Sequence, residues 1–495
     1  MYNKSMNIIH TTMDEAKENK ALFFILLLSS IFVLAQFVVG FQLGLFAVAM
    51  GVAIFFTFWR PMLGLYATLL LTLFFERFYT LQSVVIGRTA LKLYPVDVVM
   101  IAVFIALVIG MISRVRSGKI RLSWRKTDAL FTAFLVYITI LFVRDLAIGE
   151  SVIASTAFST WKNYLFYGLL YFAVPLLLQN EEKLKRFVSV YLAGSIGILV
   201  YVLIGIVRQE GLWTEFTPLS TNGVRILALP HAYYYSIALL GSLLSLPYIK
   251  SLKHHGSRYA SIVLASIPLW IIGVIGSLMR HLWIGLFFAL GVMWFMVTKK
   301  YRQELFRFAT GSVVSIIMFT IILLYGISLF PHSHVSSQVI SIGDAVSNRF
   351  VSLGDSGDTS ISWRNSVWRE AWTLFSQHAV FGAGFGATVP VEIDAYKEYV
   401  EIRNIHNSWL AMLVQVGVVG FGLMLGFLWS LVFSLKRLVL QSEFLQSMQY
   451  ATLGVFLFQC MIFLYQPYLE TNLLNIFFWV NLGVMRTLIE VQKPH

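Results

Sequence analysis

A bundle of helices that crosses a membrane many times is the fold this sequence predicts, and three observations carry the prediction. Of the 495 residues, 58% are hydrophobic and only 12% charged, where a soluble protein of this size keeps about a quarter of its residues charged. Mean hydropathy is +0.76. Apolar runs of roughly 20 residues, enough for a helix to cross the hydrocarbon core of a bilayer, recur along the whole chain. The expected class is therefore all-α: a polytopic bundle of about 12–14 transmembrane helices, with one long extracytoplasmic loop carrying an amphipathic helix. A membrane β-barrel would instead alternate polar and apolar residues over about ten positions per strand. The one cysteine, Cys460, excludes a disulfide framework and a thiolate metal site.

The first apolar run follows a polar segment, residues 1–20, expected to be cytoplasmic. No small-residue cleavage site follows that run, so it reads as a retained helix. Candidate spans are 21–39, 41–58, 62–76, 95–113, 128–143, 161–178, 186–207, 228–247, 259–277, 281–297 and 307–329. Three more follow at 408–434, 449–466 and 470–487. The two short ones, 62–76 and 128–143, suit tilted or broken helices. The chain then divides into a bundle over 21–329, a polar loop over 330–407, further spans over 408–487 and a cytoplasmic tail over 488–495. A loop as long as 330–407 inside a compact protein is usually functional or disordered.

Positive charge orients the bundle. Arg114, Arg116, Lys119, Arg121, Arg125 and Lys126 lie in one connection; Lys183, Lys185 and Arg186 in another; Lys250, Lys253 and Arg258 in a third. Lys299, Lys300, Arg302 and Arg307 form a fourth group, and Lys436 and Arg437 a fifth. Loops enriched in Lys and Arg face the cytoplasm. Their alternation predicts both termini inside a cytoplasmic membrane and residues 330–407 outside. No nucleotide-sugar or ATP pool exists there, so a group-transfer enzyme on that face needs a donor activated by its lipid carrier.

Three features on the outer side can carry chemistry. In "RNIHNSWLAML", His406 stands just before a span, with Arg403 three residues back. An interfacial histidine can simply pack its ring. As a general base, an imidazole with a pKa near 6.5 accepts a proton from a hydroxyl at neutral pH. Arg403, if the helix begins early, shares its face, and a nearby cation keeps the ring neutral. Arg280 in "IGSLMRHLWIG" lies between two apolar runs with almost no spacer, where an unpaired arginine costs a few kcal/mol. It either snorkels to the headgroups or clamps an anion, because guanidinium matches phosphate oxygens bidentately. In "SISWRNSVWREAWTLFSQHAVFGAGFGA", Arg364, Trp368, Trp372 and Phe375 recur on one face of an amphipathic helix expected on the membrane surface or capping the spans. Arg364 leads that face. The Gly382, Gly384 and Gly386 series allows a tight turn. "DSGD" at 355–358 reads as a polar turn, and no metal-ligand spacing occurs. If a diphosphate must be stabilised here without a metal, arginines have to do it.

This ordered set resembles the O-antigen ligase and O-antigen polymerase superfamily of bacterial glycan-transfer enzymes. The family's signature at the head of a late span is matched by His406, Asn407, Leu410, Gln415, Gly417 and Gly420. Gln415 stands where the family often has Glu. Ser277 to Arg280, with Trp283 and Gly285, is similar to its upstream arginine segment. Arg364 to Trp372 and Gly382 to Gly386 are similar to its loop helix and glycine turn, with Ala379 where a Pro is usual. Residues 93–103 and 227–236 also look like family segments. The resemblance implies a many-helix fold with an extracytoplasmic catalytic loop, acting without cofactor or metal. It implies a donor glycan on undecaprenyl diphosphate, attack by an acceptor hydroxyl at the anomeric carbon with inversion, and departure of the lipid diphosphate. His406, Arg280 and Arg364 are the expected catalytic residues. Arg403, Asn407, Arg225 and Arg369 are the expected substrate contacts.

The expected partners are that lipid-linked glycan, an acceptor glycan or lipid, membrane lipids and other polysaccharide-assembly proteins, with no nucleic acid. A polymerase takes a second lipid-linked glycan as acceptor, and a ligase takes lipid A core, protein or another polymer; the motifs leave the two open. A flippase, the rival class, predicts internal repeats and mid-span charges. The sequence has no such repeat and few such charges: Arg144 and Asp145 sit at a span end, and Asp97 near one.

Overall fold

The computed structural model describes residues 42–74, 83–86, 91–116, 124–148, 153–208, 229–329, 359–393 and 396–491, with isolated positions at 20, 23, 24, 27, 31, 227 and 347. Apart from those isolated positions, the expected span 21–39, Arg225, and the loop residues 330–346 and 348–358, with "DSGD", lie outside the described residues. The chain is an α-helical membrane protein. Its elements in order are α1 (Leu43–Trp59), α2 (Pro61–Leu73), β1 (Val84–Ile86), β2 (Leu91–Leu93), α3 (Pro95–Arg116), α4 (Lys126–Ile148), α5 (Ala154–Leu165) and α6 (Leu170–Leu177). Next come α7 (Glu181–Arg208), α8 (Leu229–Leu244), α9 (Leu246–His254), α10 (Arg258–Gly276), α11 (Arg280–Met296) and α12 (Lys299–Leu329). The last part holds α13 (Thr359–Gln377), β3 (Thr388–Ile393), β4 (Tyr396–Glu401), α14 (Ser408–Lys436), α15 (Glu443–Ile462) and α16 (Ile476–Val491).

Two compact units divide the chain: residues 1–85 with 93–121, and residues 86–92 with 122–495. In the first unit, Phe46 and Met50 of α1 pack with Val99 of α3, lined by Ala49, Ala53 and Ala67. Thr68 and Thr72 return their hydroxyls to carbonyls four residues back, which satisfies polar atoms where water is absent.

In the second unit, Phe131 of α4 is the centre of an aromatic core. Its ring lies 4.5 Å from Phe427 of α14, 5.1 Å from Tyr171 of α6 and 5.4 Å from Trp479 of α16. At one end of this core Asp128, fully buried, accepts from Tyr171 and from Arg486 at 3.0 Å. A buried carboxylate persists when each oxygen has a donor.

Among the described residues four helices have the length and hydropathy to cross a membrane: Pro95–Ile112, Lys126–Ala147, Arg258–Gly276 and Ser408–Lys436. The pair α8–α9 makes a fifth if counted as one span bent by 68° at Ser245. Several expected spans come in other forms. The short run at 128–143 is a 23-residue helix. The run 161–178 is α5 and α6, interrupted at 166–169, with Pro175, which lacks an N–H, inside α6. The run 470–487 begins only at Ile476, because Pro467 and the polar side chains of Glu470 and Asn475 organise residues 463–475 as a turn.

The loop is also more than one helix. Residues 388–401 form an antiparallel hairpin, β3 with β4, in the register Thr388↔Glu401 to Ile393↔Tyr396. Val389, Val391 and Val400 face inward and pack with Val367 and Ala371 of α13. Of the expected aromatic face on α13, Trp368 and Phe375 pack partly against this cluster. Val367 and Ala371 are buried, whereas Trp372 is 56% exposed. The small side chains of Val367 and Ala371 let α13 approach the hairpin closely.

Candidate functional site

The site is built where α14 begins. Residues 402–404 make a 3-10 turn, and Asn407 caps α14, its side-chain oxygen accepting from Leu410 N at 3.0 Å. Asn407 was expected to bind substrate; the structure gives its side-chain oxygen to the helix instead, which suits its extended backbone at the N-cap. Between turn and cap, His406 takes φ +56°. This left-handed conformation is sparsely populated for a residue with a Cβ, though histidine tolerates it better than most. Leu278 (φ +56°) and Leu473 (φ +72°) are the other such non-glycine residues among those described. All three lie in segments that converge on this site: the α10–α11 break, the head of α14 and the 463–475 turn. Strain of this kind persists where surrounding structure over-determines it, and it clusters at functional sites.

Two contacts hold the His406 ring and a third holds the backbone before it. Its Nδ1 lies 2.7 Å from Gln466 Oε1. An amide oxygen only accepts, so Nδ1 carries the proton and Nε2 keeps the lone pair. Trp363 meets the ring edge-on, with centroids 5.4 Å apart. Trp368 donates from its indole to the Ile405 carbonyl at 2.7 Å, which pins the backbone just before the histidine. Burial holds the imidazole below its usual pKa; the Gln466 contact opposes this, and the Arg364 charge adds to it.

The structure thus brings His406 and Arg364 together, but Arg403 has another assignment. The helix starts at Ser408, too late to stack Arg403 under His406. Arg403 instead donates to Glu401 at 2.8 Å, and Glu401 also accepts from Thr156 at 2.8 Å and from Asn404 at 3.3 Å. The cation acting on the imidazole is Arg364 on α13. Arg369, expected to touch substrate, is exposed five residues further along α13. At 100° per residue that places it about 140° around the helix from Arg364.

Arg280 opens α11, directly after the strained Leu278. Two residues of its motif close the break before it: Ser277 and Trp283 both donate to the Val274 carbonyl, at 2.7 and 3.0 Å. Its neighbour His281 meets the Tyr468 hydroxyl at 2.9 Å. Tyr468 is two residues from Gln466, so the heads of α11 and α14 are both tied to the 463–475 turn.

Sequence reasoning missed that turn. Glu470, 2% exposed, accepts from Tyr164 Oη and from Ser408 Oγ, each at 2.6 Å. Burial pushes its carboxyl up to about 7, against those two hydroxyl contacts. Asn163 donates to the Glu470 carbonyl at 2.6 Å, and Ser408 N donates to Phe463 O at 2.8 Å. The signal was present in "YQPYLETN" at 465–472: a glutamate inside a presumed span is expensive and marks a functional position by default.

The glycine turn locks the loop to the bundle. Gly382, Gly384 and Gly386 have φ of +77°, +90° and +82°. A Cβ on Gly384 would come within 2.5 Å of the Asp145 carboxylate. That carboxylate accepts from Phe385 N at 2.6 Å and is paired with Arg144 at 2.7 Å. Gly417, at φ +65°, breaks α14. The turn supplies partners there: Ala383 N and Gly384 N donate to Val414 O and Gln415 O at 2.8 and 3.1 Å, and Val418 N donates to Ala379 O at 2.9 Å. Broken helices in membrane proteins need such backbone partners. Gln415 beside the break is buried, and its Oε1 has no partner among the described residues.

Compared with known proteins, residues 262–425 match a family model described as O-antigen ligase. The match runs from α10 to the middle of α14 and contains Arg280, Arg364, the glycine turn and His406. Gln466 and Glu470 lie beyond it. No curated protein matches the chain.

Proposed function

We propose, from the match of residues 262–425 to the O-antigen ligase family model, that this multi-pass membrane protein is a glycan transferase that moves a saccharide from a polyprenyl-diphosphate-linked donor to an acceptor hydroxyl. The reaction takes place on the extracytoplasmic face. The acceptor oxygen attacks the anomeric carbon, and its proton passes to His406 Nε2. The bond from that carbon to the diphosphate breaks, its electron pair leaves on the diphosphate, and the configuration inverts. Arg280 and Arg364 carry the charge of the leaving group. Undecaprenyl diphosphate is the proposed carrier.

The observation that carries this reading is the state of His406: strained, its Nδ1 bonded to Gln466, its pKa lowered, and Arg364 beside it. A base needs an unprotonated ring at neutral pH, and a departing diphosphate needs a cation close by. Glu401, the nearest carboxylate in sequence, is already held by Thr156, Arg403 and Asn404. The test is reconstitution of the purified chain in liposomes with an undecaprenyl-diphosphate oligosaccharide, with product followed by mass spectrometry. His406→Gln is expected to lower product formation by about 10²–10⁴-fold, the usual worth of general-base help. Full product from His406→Gln and none from Glu401→Gln would move the base to Glu401.

A further inference from the structure

We infer that the end of the bundle away from His406 holds a second site, for one acyl chain of an anionic phospholipid. A cavity of about 320 Å³ lies between α7, α8, α10, α15 and α16. That volume suits a small lipid-like ligand. Tyr191 and Phe477 close the deep end of the cavity, 8% and 5% exposed, while Lys185 and Tyr259 stand at the mouth, 43% and 37% exposed. Along α15 its wall runs from Phe444 to Val455, eleven residues or about 16 Å of helix. A space of that length and volume takes one acyl chain, and a long polyisoprenoid would overrun it. The same helix ends beside His406, since Phe463 O accepts from Ser408 N, so the mouth is about 28 Å from that end.

Two features of the wall show space kept for a ligand. A Cβ on Gly241, which lines the cavity in the last turn of α8, would meet nothing within 4 Å. Alanine or leucine there would hold the helix better and fill part of the gap. At the next position, Ser242 is 3% exposed and its Oγ has no hydrogen-bond partner among the described residues, although buried hydroxyls normally find one. The charge at the mouth selects the headgroup. The three connections at that end, 179–186, 248–258 and 298–307, hold ten Lys and Arg against three Glu. Such an excess draws anionic lipid heads. The hydrocarbon chain enters past Lys185 and Tyr248, and the phosphate stays among the lysines and arginines.

The inference stands apart from the proposed transfer reaction, since neither His406 nor Arg364 lines the cavity. The experiment uses the full chain in nanodiscs with a phosphatidylglycerol that carries a diazirine near the end of one acyl chain. After irradiation, the labelled peptides are sequenced. Label is expected on α8 around Ala238–Ser242 and on α15 around Ala451. Gly241→Leu should cut that label at least tenfold while leaving the glycan-transfer rate unchanged and raising the melting temperature. Ala451→Leu, on the opposite wall, repeats the test should Gly241→Leu not fold. The same probe on phosphatidylcholine should label several-fold less. Label absent from both walls in the unaltered chain, label untouched by filling the cavity, or displacement by undecaprenyl phosphate and not by phosphatidylglycerol would each overturn the inference.

Discussion

At the scale of single residues, His406 and Glu470 are set apart by what surrounds them. His406 works as a base only above its pKa, so transfer should slow as pH falls through a value below about 6.5, the ordinary one for imidazole. Arg364→Gln removes a lowering charge, and the acid limb should move to higher pH. Gln466→Glu should move it the same way, because a carboxylate favours the imidazolium. Rate–pH profiles of the three proteins check this; an acid limb that stays in place in both variants would assign the limb to another group. Glu470 titrates in the opposite sense. Burial raises its carboxyl from 4.5 to about 7, so the folded chain holds a proton that the unfolded chain releases. Its contribution is fully present below about 4.5 and is lost as pH rises towards 7. Melting temperatures measured from pH 5 to 8 should therefore fall less steeply in Glu470→Gln than in the parent protein.

Elements meet at the site through backbone contacts, and that is where element-scale predictions lie. The 379–386 turn passes between α4 and the break in α14, where Gly384 faces the Asp145 carboxylate. Gly384→Ala combines a left-handed backbone with a clash against a buried, paired carboxylate. It should destabilise the protein by roughly 1–3 kcal/mol and loosen α13 from α14; thermal unfolding in detergent measures the first, and proteolysis between residues 377 and 387 the second. Trp368→Phe keeps the ring but loses the bond to Ile405 O. Its expected cost is about 1 kcal/mol, with a larger effect on turnover than on expression. The glycine series and the arginine at the head of the loop helix were both visible as patterns. The hairpin at 388–401 was not, because Val389, Val391 and Val400 alternate over only a few residues, interrupted by Pro390 and flanked by charge.

For the molecule as a whole, the alternation of basic connections predicts which ends lie on the same side. With Cys460 replaced by Ser, a cysteine at the exposed Ser376 should react with a membrane-impermeant maleimide in intact cells. One at Lys253 should react only after lysis. The opposite pattern would place the site in the cytoplasm and remove the argument for a lipid-activated donor. Membrane character, the helical class and the segments around His406, Arg280 and Arg364 were all legible from composition and spacing. The division of 161–178 and the late start of α16 were not, because hydropathy does not distinguish a continuous helix from apolar pieces joined by a buried turn.

The sequence by itself determined that this chain spans a membrane as helices, that a polar loop precedes a histidine-headed span, and that its glycine turn needs left-handed backbone. Those properties are local: they depend on hydrophobicity, charge and the absence of a Cβ, residue by residue. Only the tertiary structure decided which groups act on His406. Gln466 is 60 residues away along the chain and Arg364 is 42, and Glu470 reaches the site through hydroxyls of Tyr164 and Ser408. A pKa, a tautomer and an ion pair depend on distance in space, and that distance is set by the packing of α13 and the 463–475 turn against the head of α14.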